Sequence, residues 1–372
     1  MTQKFVPSQP APPPSTTTPA IAWLQQNFFN SPFSIVMTLL SVYLLWQVLP
    51  GALSWALFEA NWSGHDRSVC DANPDGACWT AIRVRFWQIM LGLYYGANPD
   101  EIWRPLTVFA VYGALVVVLL SDKLPAKPRV ILAALALTVF PVLAVGLLHG
   151  GMFGLPVAPT SQWGGFMLTL VLATGGIVLA LPIGILLALG RRSELGVVKW
   201  FCIIFIEFWR ANPLITILFM ASNLLPLFLP SGMEIDKVAR ALVAITLFQS
   251  AYTAEAIRGG LAAIPKGQFE AADALGLKYH HTTSIIILPQ ALKISIPAIV
   301  NTFIALFKDT TLVAIIGLLD LFNMSQTVSR SIEWKGFDYE TYVFTAFVFF
   351  ICCYGMSRYS QAVERKLNTE HS

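Results

Sequence analysis

The sequence predicts an all-α integral membrane protein with about eight transmembrane helices. Hydrophobic residues make up 56% of its 372 residues and charged residues only 12%, and the mean hydropathy is +0.64. A soluble domain carries about a quarter charged residues. The apolar residues also gather into long runs, which is the pattern of a chain that crosses a bilayer repeatedly.

Eight apolar runs reach or nearly reach the length of about 20 residues that a spanning helix needs. They cover residues 34–53, 104–121, 129–148, 165–189, 200–228, 237–257, 294–318 and 341–360. Residues 1–30, which begin with a stretch rich in Pro, Ser and Thr, are predicted to form a disordered cytoplasmic tail.

The positions of Lys and Arg predict the orientation of these spans. Basic residues collect at 121–129, at 190–200, in the loop with Arg258 and Lys266, and in the C-terminal tail. With eight spans, these segments all lie on one side, which the positive-inside rule assigns to the cytoplasm. Both termini are then cytoplasmic, and the acidic loop at about 54–103 is periplasmic.

This outer loop contains Cys70 and Cys78 in the stretch CDANPDGAC. Two cysteines at this spacing suit a disulfide in an oxidising compartment. No metal site is predicted, because His65 is the only histidine nearby and no second ligand pair follows. Residues 79–95 are apolar and aromatic but contain two arginines, so we expect a helix in the membrane interface, with a ninth span as the alternative.

We divide the chain near residues 150–161, a connection rich in Gly and Pro. Residues 31–150 are predicted to form an extension of three plain apolar helices. Polar residues appear at membrane depth from about Gln162 onward, and such residues are costly in lipid and usually functional. The functional domain is therefore predicted over residues 151–366.

A polar segment between the sixth and seventh spans carries the strongest signal of function. Its helix, predicted over residues 266–283, contains Ala271 and Ala272, whose small side chains let another protein approach the backbone closely. Gly276 permits a sharp turn, and Pro289 is predicted to stop the next helix from running straight on. A short cytoplasmic helix held between two spans is suited to docking a partner that moves them.

The same segment resembles the signature loop of bacterial ABC importer permeases, which is EAA, three residues, G, nine residues and I-x-L-P. The matching residues, which the resemblance assigns to ATPase coupling, are Glu270, Ala271, Ala272, Gly276, Ile286, Leu288 and Pro289. The short motifs IRGG, IPKGQ, LPQA and KDTTL resemble those of the polar amino acid branch of that family. The N-terminal extension is similar to the long permease subunit of general L-amino-acid transport systems of Gram-negative bacteria.

This resemblance implies a C-terminal five-helix type I importer core in the bacterial inner membrane, and the import of polar or general L-amino acids. It implies as partners an ATP-binding cassette ATPase dimer, a second and preferably different permease, a periplasmic amino-acid-binding protein and membrane lipid. ATP and Mg²⁺ are expected on the ATPase, since this chain has no phosphate loop and no catalytic constellation. We expect no cofactor and no nucleic acid on this chain, whose net charge is only +3.

Lys308 and Asp309 lie in the middle of the seventh apolar run, where an unpaired charge costs about 2.5–3.5 kcal/mol. With Thr310 and Thr311 they either line a path for a zwitterion or form a structural pair at a subunit interface. They also suggest an alternative function, a secondary amino acid transporter that uses Lys308 and Asp309 for ion coupling. Such transporters often contain inverted repeats, and the two halves of this chain look unlike.

The fifth run contains EFWRANP, in which Pro213 frees backbone carbonyls at membrane depth. Arg210 matches the Arg-Gly-Thr-Pro that is usual in the family, whereas Ala211 and Asn212 depart from it. Arg210 is therefore a candidate for a gate or a fold role.

The sixth run contributes Gln249, Tyr252 and Glu255, which recur at helical spacing. We expect them to face a dimer interface or a cavity along the translocation path. Glu255 is equally suited to an ion pair with Arg258, three residues further on.

Overall fold

The structure is a computed structural model that describes residues 20–121, 125–152, 154–230 and 232–369. Every regular element within these ranges is helical, as the predicted fold class requires. The tail predicted over residues 1–30 falls mostly outside them. Its last part, Ala20–Phe28, forms a helix, so the prediction of disorder is wrong there, because Ala, Leu and Gln favour a helix.

The helices follow one another along the chain. They are α1 (Ala20–Phe28), α2 (Pro32–Leu53), α3 (Ser68–Asp71), α4 (Trp79–Leu91), α5 (Tyr94–Ala97), α6 (Trp103–Leu120), α7 (Ala126–His149), α8 (Gly165–Gly190), α9 (Gly196–Ala211), α10 (Leu214–Phe219), α11 (Lys237–Ala262), α12 (Lys266–Ala274), α13 (Tyr279–His281), α14 (Leu288–Asp309), α15 (Leu321–Ser329) and α16 (Asp338–Thr369). π-Helical turns follow α2, α10 and α13, at Ser54–Phe58, Met220–Leu224 and Thr282–Ile287, and a 3₁₀ helix, Thr310–Ile316, follows α14.

The chain divides into two compact units. The smaller unit contains the residues up to Gly64 together with Ser68–Trp79, and the larger unit contains His65–Arg67 and the chain from Thr80 onward. The extension predicted over residues 31–150 is thus divided between the two units, because α2 belongs to the smaller unit and α6 and α7 belong to the larger one. The domain predicted over residues 151–366 lies entirely within the larger unit.

The smaller unit contains α1, the long apolar helix α2 and a loop closed by cysteines. No residue of α2 is buried within the chain, as expected for a helix that faces lipid. Cys70 and Cys78 are joined by a disulfide, with 5.6 Å between their Cα atoms. The indole Nε1 of Trp79 donates to the carbonyl of Ala56 (2.7 Å), which fastens the loop to the end of the helical segment.

In the described ranges, six helical stretches are long and apolar enough to cross a membrane, and a bent pair of helices makes a seventh. They are Pro32–Phe58, Pro99–Leu119, Lys127–His149, Gly165–Gly190, Tyr279–Ile316 and Asp338–Arg365, with Gly196–Ala211 and Leu214–Phe228 as the bent pair. The remaining predicted span is α11, whose 26 residues reach about 39 Å. It is less apolar than the others because it is enclosed by protein and not by lipid.

Residues 79–95 do not form a ninth span. α4 has 13 residues and reaches about 20 Å, which is less than the roughly 30 Å of a bilayer core. Leu91 and Tyr94 are buried in a cluster with Trp163 and Met167, so this part of the segment is packed within the larger unit. Its position in the membrane interface stays a prediction.

α11 is the centre of the larger unit and packs against α8, α9 and α14. Gly184 of α8 makes a close approach possible, because a Cβ at this position would press on Thr253 of α11. Small residues at such crossings let spanning helices pack closely in lipid. Leu168, Ile245 and Leu306 fill the buried space between these helices.

The disulfide divides the cysteines into two classes that alkylation distinguishes. Cys202, Cys352 and Cys353 are free thiols, so protein denatured without reductant should react with three equivalents of a maleimide. After reduction, all five cysteines of the chain should react. The Cys70→Ser variant is the control, because Cys78 then joins the free thiols with or without reductant. Five reactive thiols in the unreduced parent protein would contradict the disulfide.

Candidate coupling and translocation site

The polar segment singled out in the sequence forms a short helix followed by a tight turn. α12 begins after Pro265 and ends at Ala274, so it is shorter than the predicted 266–283. Gly276 adopts a left-handed conformation (φ 69°) that residues with a side chain rarely adopt. The amide of Leu277 closes the turn by donating to the carbonyl of Ala272 (3.1 Å).

One side of α12 is anchored in the core of the chain. Ala272 is only 1% exposed. Phe269 packs with Ile264 and Ile286 in an apolar cluster at the ends of α11 and α14. The guanidinium carbon of Arg192 lies 5.6 Å from the ring centre of Phe269, which is a cation–π distance. α12 therefore cannot move relative to α11 and α14 without breaking these contacts.

Hydrogen bonds add to this apolar anchor. The amide Nε2 of Gln290, in the first turn of α14, donates to Oε1 of Gln268 on α12 (3.1 Å). On the other side, Nη1 of Arg192 donates to the carbonyl of Leu261 near the end of α11 (3.1 Å). The first bond ties α12 to α14, and the second fixes Arg192, whose guanidinium lies over Phe269 of α12, to α11.

The opposite side of α12 faces away from the chain. Glu270 and Ala271 are exposed. Leu275, just beyond the helix, is 76% exposed and presents apolar surface beside them. Among the other motif residues, Gly276 and Pro289 are exposed, Ala272 is buried, and Ile286 and Leu288 are half-buried. The motif thus combines an outward face with an inward anchor.

Pro289 does not interrupt the helix that follows. Helical structure runs from Tyr279 to Ile316. The π-helical turn at Thr282–Ile287 precedes α14 and places Pro289 in its first turn. Proline is tolerated there, because its missing N–H has no obligatory partner within the helix. The prediction that Pro289 stops the helix is wrong.

The fifth span is broken at Pro213. α9 and α10 meet at an angle of 100°. Nδ2 of Asn212 donates to the carbonyl of Phe208 (2.7 Å), which satisfies a backbone acceptor at the end of α9. The departure from the usual family residue at this position therefore supplies a side-chain cap for the break.

Five charged side chains form a cluster that joins α9 to α8 and α11. Nε of Arg258 lies 2.7 Å from Oε1 of Glu255. Arg191, which follows α8, reaches Glu207 on α9 (3.0 Å) and Glu255 (3.6 Å). Arg210 lies 3.8 Å from Glu255 and 3.9 Å from Glu207. Glu255 therefore serves as an ion-pair partner for three arginines. Arg191 belongs to this charge cluster, although the sequence indicated it only as one of the basic residues at 190–200.

Gln249 lies inside the chain and not at the predicted interface or cavity. It is 3% exposed and donates from Nε2 to Oγ1 of Thr302 on α14 (2.9 Å). Tyr252 is half-buried, with its ring centre 4.9 Å from that of Phe248 and 5.8 Å from the guanidinium carbon of Arg210. Because neighbouring helices enclose α11, its polar positions pair with them.

The stretch from Lys308 to Thr311 marks the end of α14. Lys308 is exposed, Asp309 is half-buried and Thr310 is buried. The hydroxyls of Thr310 and Thr311 donate to the carbonyls of Phe307 (2.8 Å) and Lys308 (2.9 Å), respectively. Since both hydroxyl protons are used within the helix, Lys308 is the group in this stretch that remains suited to a carboxylate.

Two residues that the sequence analysis did not single out hold this stretch in place. Asp320 is buried and caps α15 by accepting from the amides of Phe322 and Asn323 (3.2 Å each). Asn323 donates from Nδ2 to the carbonyl of Thr311 (3.1 Å). Burial raises the pKa of the Asp320 carboxyl, and hydrogen bonds from Asn323 oppose this effect. An aspartate directly before a helix is a common N-cap, which is the signal that identifies it.

The fold and the site define a class of protein, a multi-pass membrane subunit in which an anchored helix with an outward face joins two central spans. The family model described as the binding-protein-dependent transport system inner membrane component matches residues 180–369. The chain belongs to this family, which confirms the predicted type I ABC importer fold.

Two relatives align with nearly the whole chain. The inner membrane amino-acid ABC transporter permease protein YhdY of Escherichia coli is 47% identical, over 99% of each chain. The glutamate/glutamine/aspartate/asparagine transport system permease protein BztC of Rhodobacter capsulatus is 39% identical, over 97% of each chain. A crystal structure of an amino acid ABC transporter with histidines is 30% identical and covers 54% of this chain and 92% of that chain, with a TM-score of 0.49.

The chain is therefore a permease subunit of an ABC importer and a multi-pass inner membrane protein. ATP hydrolysis belongs to a separate chain, and such a subunit works with an ATPase and a binding protein. The alternative of an ion-coupled secondary transporter has no support among these relatives.

The charge cluster predicts the effect of neutralising Glu255. In Glu255→Gln, Arg191, Arg210 and Arg258 lose a shared carboxylate, which should cost about 1–3 kcal/mol. The midpoint of thermal unfolding of the detergent-solubilised protein should fall. Glu194→Gln is the matched control, because Glu194 is exposed in the loop after α8 and should leave the midpoint unchanged. Equal midpoints for both variants would contradict this role of the cluster.

Proposed function

We propose that this chain forms part of the path by which L-amino acids cross the inner membrane from the periplasm to the cytoplasm. The support is that relatives of nearly the same length are named as permeases for amino acids in general and for glutamate, glutamine, aspartate and asparagine. Both termini and α12 are cytoplasmic in this proposal, because Lys and Arg gather in these segments.

The observation that carries the proposal is the two-sided character of α12. Phe269 packs on the apolar cluster at the ends of α11 and α14 and Ala272 is buried, whereas Glu270 and Leu275 are exposed. A protein bound to the outward face moves both spans together, because the inward face is anchored to them. The partner we propose there is the ATPase dimer, whose closure would shift the permease between two states through contacts that differ between them.

ATP and Mg²⁺ are bound by that ATPase dimer in this proposal, and this chain holds no cofactor. The sequence contains no Gly-rich phosphate loop with the Lys-Ser/Thr ending that such a site needs. The permease thus supplies the path, and a separate protein supplies the energy.

We propose that the substrate path and a second, different permease lie along the outer face of α14. Residues exposed at intervals of three and four form this face, and they are Ile294, Ala298, Asn301, Ala305 and Lys308. Small residues are enriched where spanning helices meet, and exposed amide or ammonium groups at membrane depth need protein or water beside them. Lys308 would meet the carboxylate of an amino acid, and Asp309 its ammonium. Lipid would cover other faces, such as that of α2.

Reversing the charge of Glu270 tests the docking role. We expect Glu270→Arg to lower uptake of glutamate into proteoliposomes that hold the whole transporter by about tenfold, the effect of losing about 1.4 kcal/mol of docking free energy. The stimulation of ATP hydrolysis by substrate-loaded binding protein should fall in parallel, because both depend on the contact between permease and ATPase.

Glu194→Arg is the matched control for this test. Glu194 is also an exposed glutamate on the proposed cytoplasmic side, but it lies in the loop between α8 and α9 and not on α12. Its charge reversal should leave uptake unchanged. Full uptake by Glu270→Arg in an assembled transporter would overturn the proposed docking face.

A further inference from the structure

The first turns of α16 contain a polar cavity at the level of the lipid headgroups. The cavity has a volume of about 460 Å³, and its lining includes Arg330, Lys335, Asp338, Tyr339 and Tyr342. The apolar run of α16 begins only at about residue 341, so the cavity lies where the helix leaves the hydrocarbon core. In the proposed orientation, this end of α16 is in the outer leaflet.

The charges of the cavity are arranged for a ligand that carries both signs. Arg330 and Lys335 are exposed, and among the described residues neither side chain forms an ion pair. The carboxylate of Asp338 is half-buried and accepts a hydrogen bond from Oγ of Ser329 (2.6 Å). The two cations suit a phosphate, and the carboxylate suits an ammonium.

The connection that forms one wall of the cavity is held in place. Gly336 has a left-handed backbone (φ 102°), and its amide donates to the carbonyl of Ser329 (3.3 Å). Trp334 is buried, and Nη1 of Arg67 donates to the carbonyl of Lys335 (3.0 Å). The cavity is therefore pre-organised, which lowers the ordering cost of binding a ligand.

An exposed apolar face continues from the cavity along α16. Tyr339, Val343, Phe350 and Tyr354 are exposed and recur at intervals of four and seven residues, so they share one side of the helix. The distance along the axis from Tyr339 to Phe350 is about 17 Å. One leaflet contributes about 15 Å of hydrocarbon. The surface thus combines a headgroup-sized polar cavity with an apolar face as long as an acyl chain.

We propose that this surface binds an aminophospholipid of the outer leaflet, a lipid whose headgroup carries a phosphate and a primary ammonium. The phosphate lies between Arg330 and Lys335, and the ammonium donates to the carboxylate of Asp338. One acyl chain follows the face that contains Val343 and Phe350.

The residues of this face favour lipid over a second permease. Spanning helices meet through small residues, such as the exposed Ala298 and Ala305 of α14, whereas Phe347, Phe350 and Tyr354 are bulky. Tyrosines at the end of a span are also typical of the headgroup level. A free amino acid carries the same two charges as the headgroup, but it would leave the apolar face uncovered.

The test uses the whole transporter in phosphatidylcholine liposomes that contain a trace of photoreactive phosphatidylethanolamine with a diazirine on its acyl chain. Irradiation and peptide mass spectrometry measure the labelling of residues 339–354. Labelling should exceed that by photoreactive phosphatidylcholine about fivefold, because a quaternary ammonium has no N–H to donate to Asp338. Asp338→Asn should lower labelling by phosphatidylethanolamine to the level of phosphatidylcholine and leave the latter unchanged.

Removing the two cations tests the phosphate contact. Arg330→Gln/Lys335→Gln should lower labelling by phosphatidylethanolamine about fivefold, as expected for two contacts at an exposed surface. Arg83→Gln/Lys237→Gln is the matched control, because Arg83 and Lys237 are also exposed cations on the proposed outer side but do not line the cavity. Its labelling should equal that of the parent protein.

Equal labelling by both lipids would overturn the proposal, and so would an equal loss in the control variant, which would indicate a general effect of surface charge. Labelling that occurs only after removal of the second permease would assign the face to the interface between permeases. Suppression of labelling by glutamate would assign the cavity to a free amino acid. Both results would also overturn the proposal. A parent transporter that is labelled as expected but imports no amino acid would contradict the proposed function and leave the lipid site standing.

Discussion

The packing of α12 against the ends of α11 and α14 is the contact on which the rest of the structure depends. An isolated helix of nine residues is not stable in water, so tertiary packing must hold it. Phe269 supplies that packing, Ala272 is buried, and Gln268 accepts a hydrogen bond from Gln290. Close-packed interiors transmit displacement, because they have few voids to absorb it. Without this anchor, a partner on the outward face would bend a loop and leave the spans in place.

Electrostatics extends this connection from α11 to the broken span. Glu255 lies within ion-pair distance of Arg191, Arg210 and Arg258, and Glu207 joins the same cluster from α9. The five side chains are 22–54% exposed, so each pair is only partly shielded from water, but their shared contacts still favour joint motion of α8, α9 and α11 at this end. The break at Pro213 follows directly after Arg210, and it allows α10 to take a direction of its own. The cluster therefore connects α11 to α9, the first helix of the bent span, so a movement of α11 is transmitted to that span.

Local patterns were sufficient to predict the helical membrane fold and the importer family, because hydropathy and the spacing of Glu270, Ala271, Ala272 and Gly276 are properties of short segments. The direction in which each side chain faces was harder to predict. Helical spacing grouped Gln249 with Tyr252, but the helices that enclose α11 were needed to place Gln249 in the interior. The effect of Pro289 likewise depends on the π-helical turn before it. The motif alone did not predict that Ala272 is buried, because burial depends on the tertiary structure.

Rigid coupling between α12 and α14 is tested most directly by linking them covalently. Gln268 and Gln290 are in contact through their side chains, so Gln268→Cys/Gln290→Cys offers a site for a short bis-maleimide. If α12 and α14 move as one body, the cross-linked transporter should import glutamate at the rate of the same variant before cross-linking. A loss of uptake on cross-linking, with the single-cysteine variants unaffected by the reagent, would show that the two helices must move apart and would contradict rigid coupling.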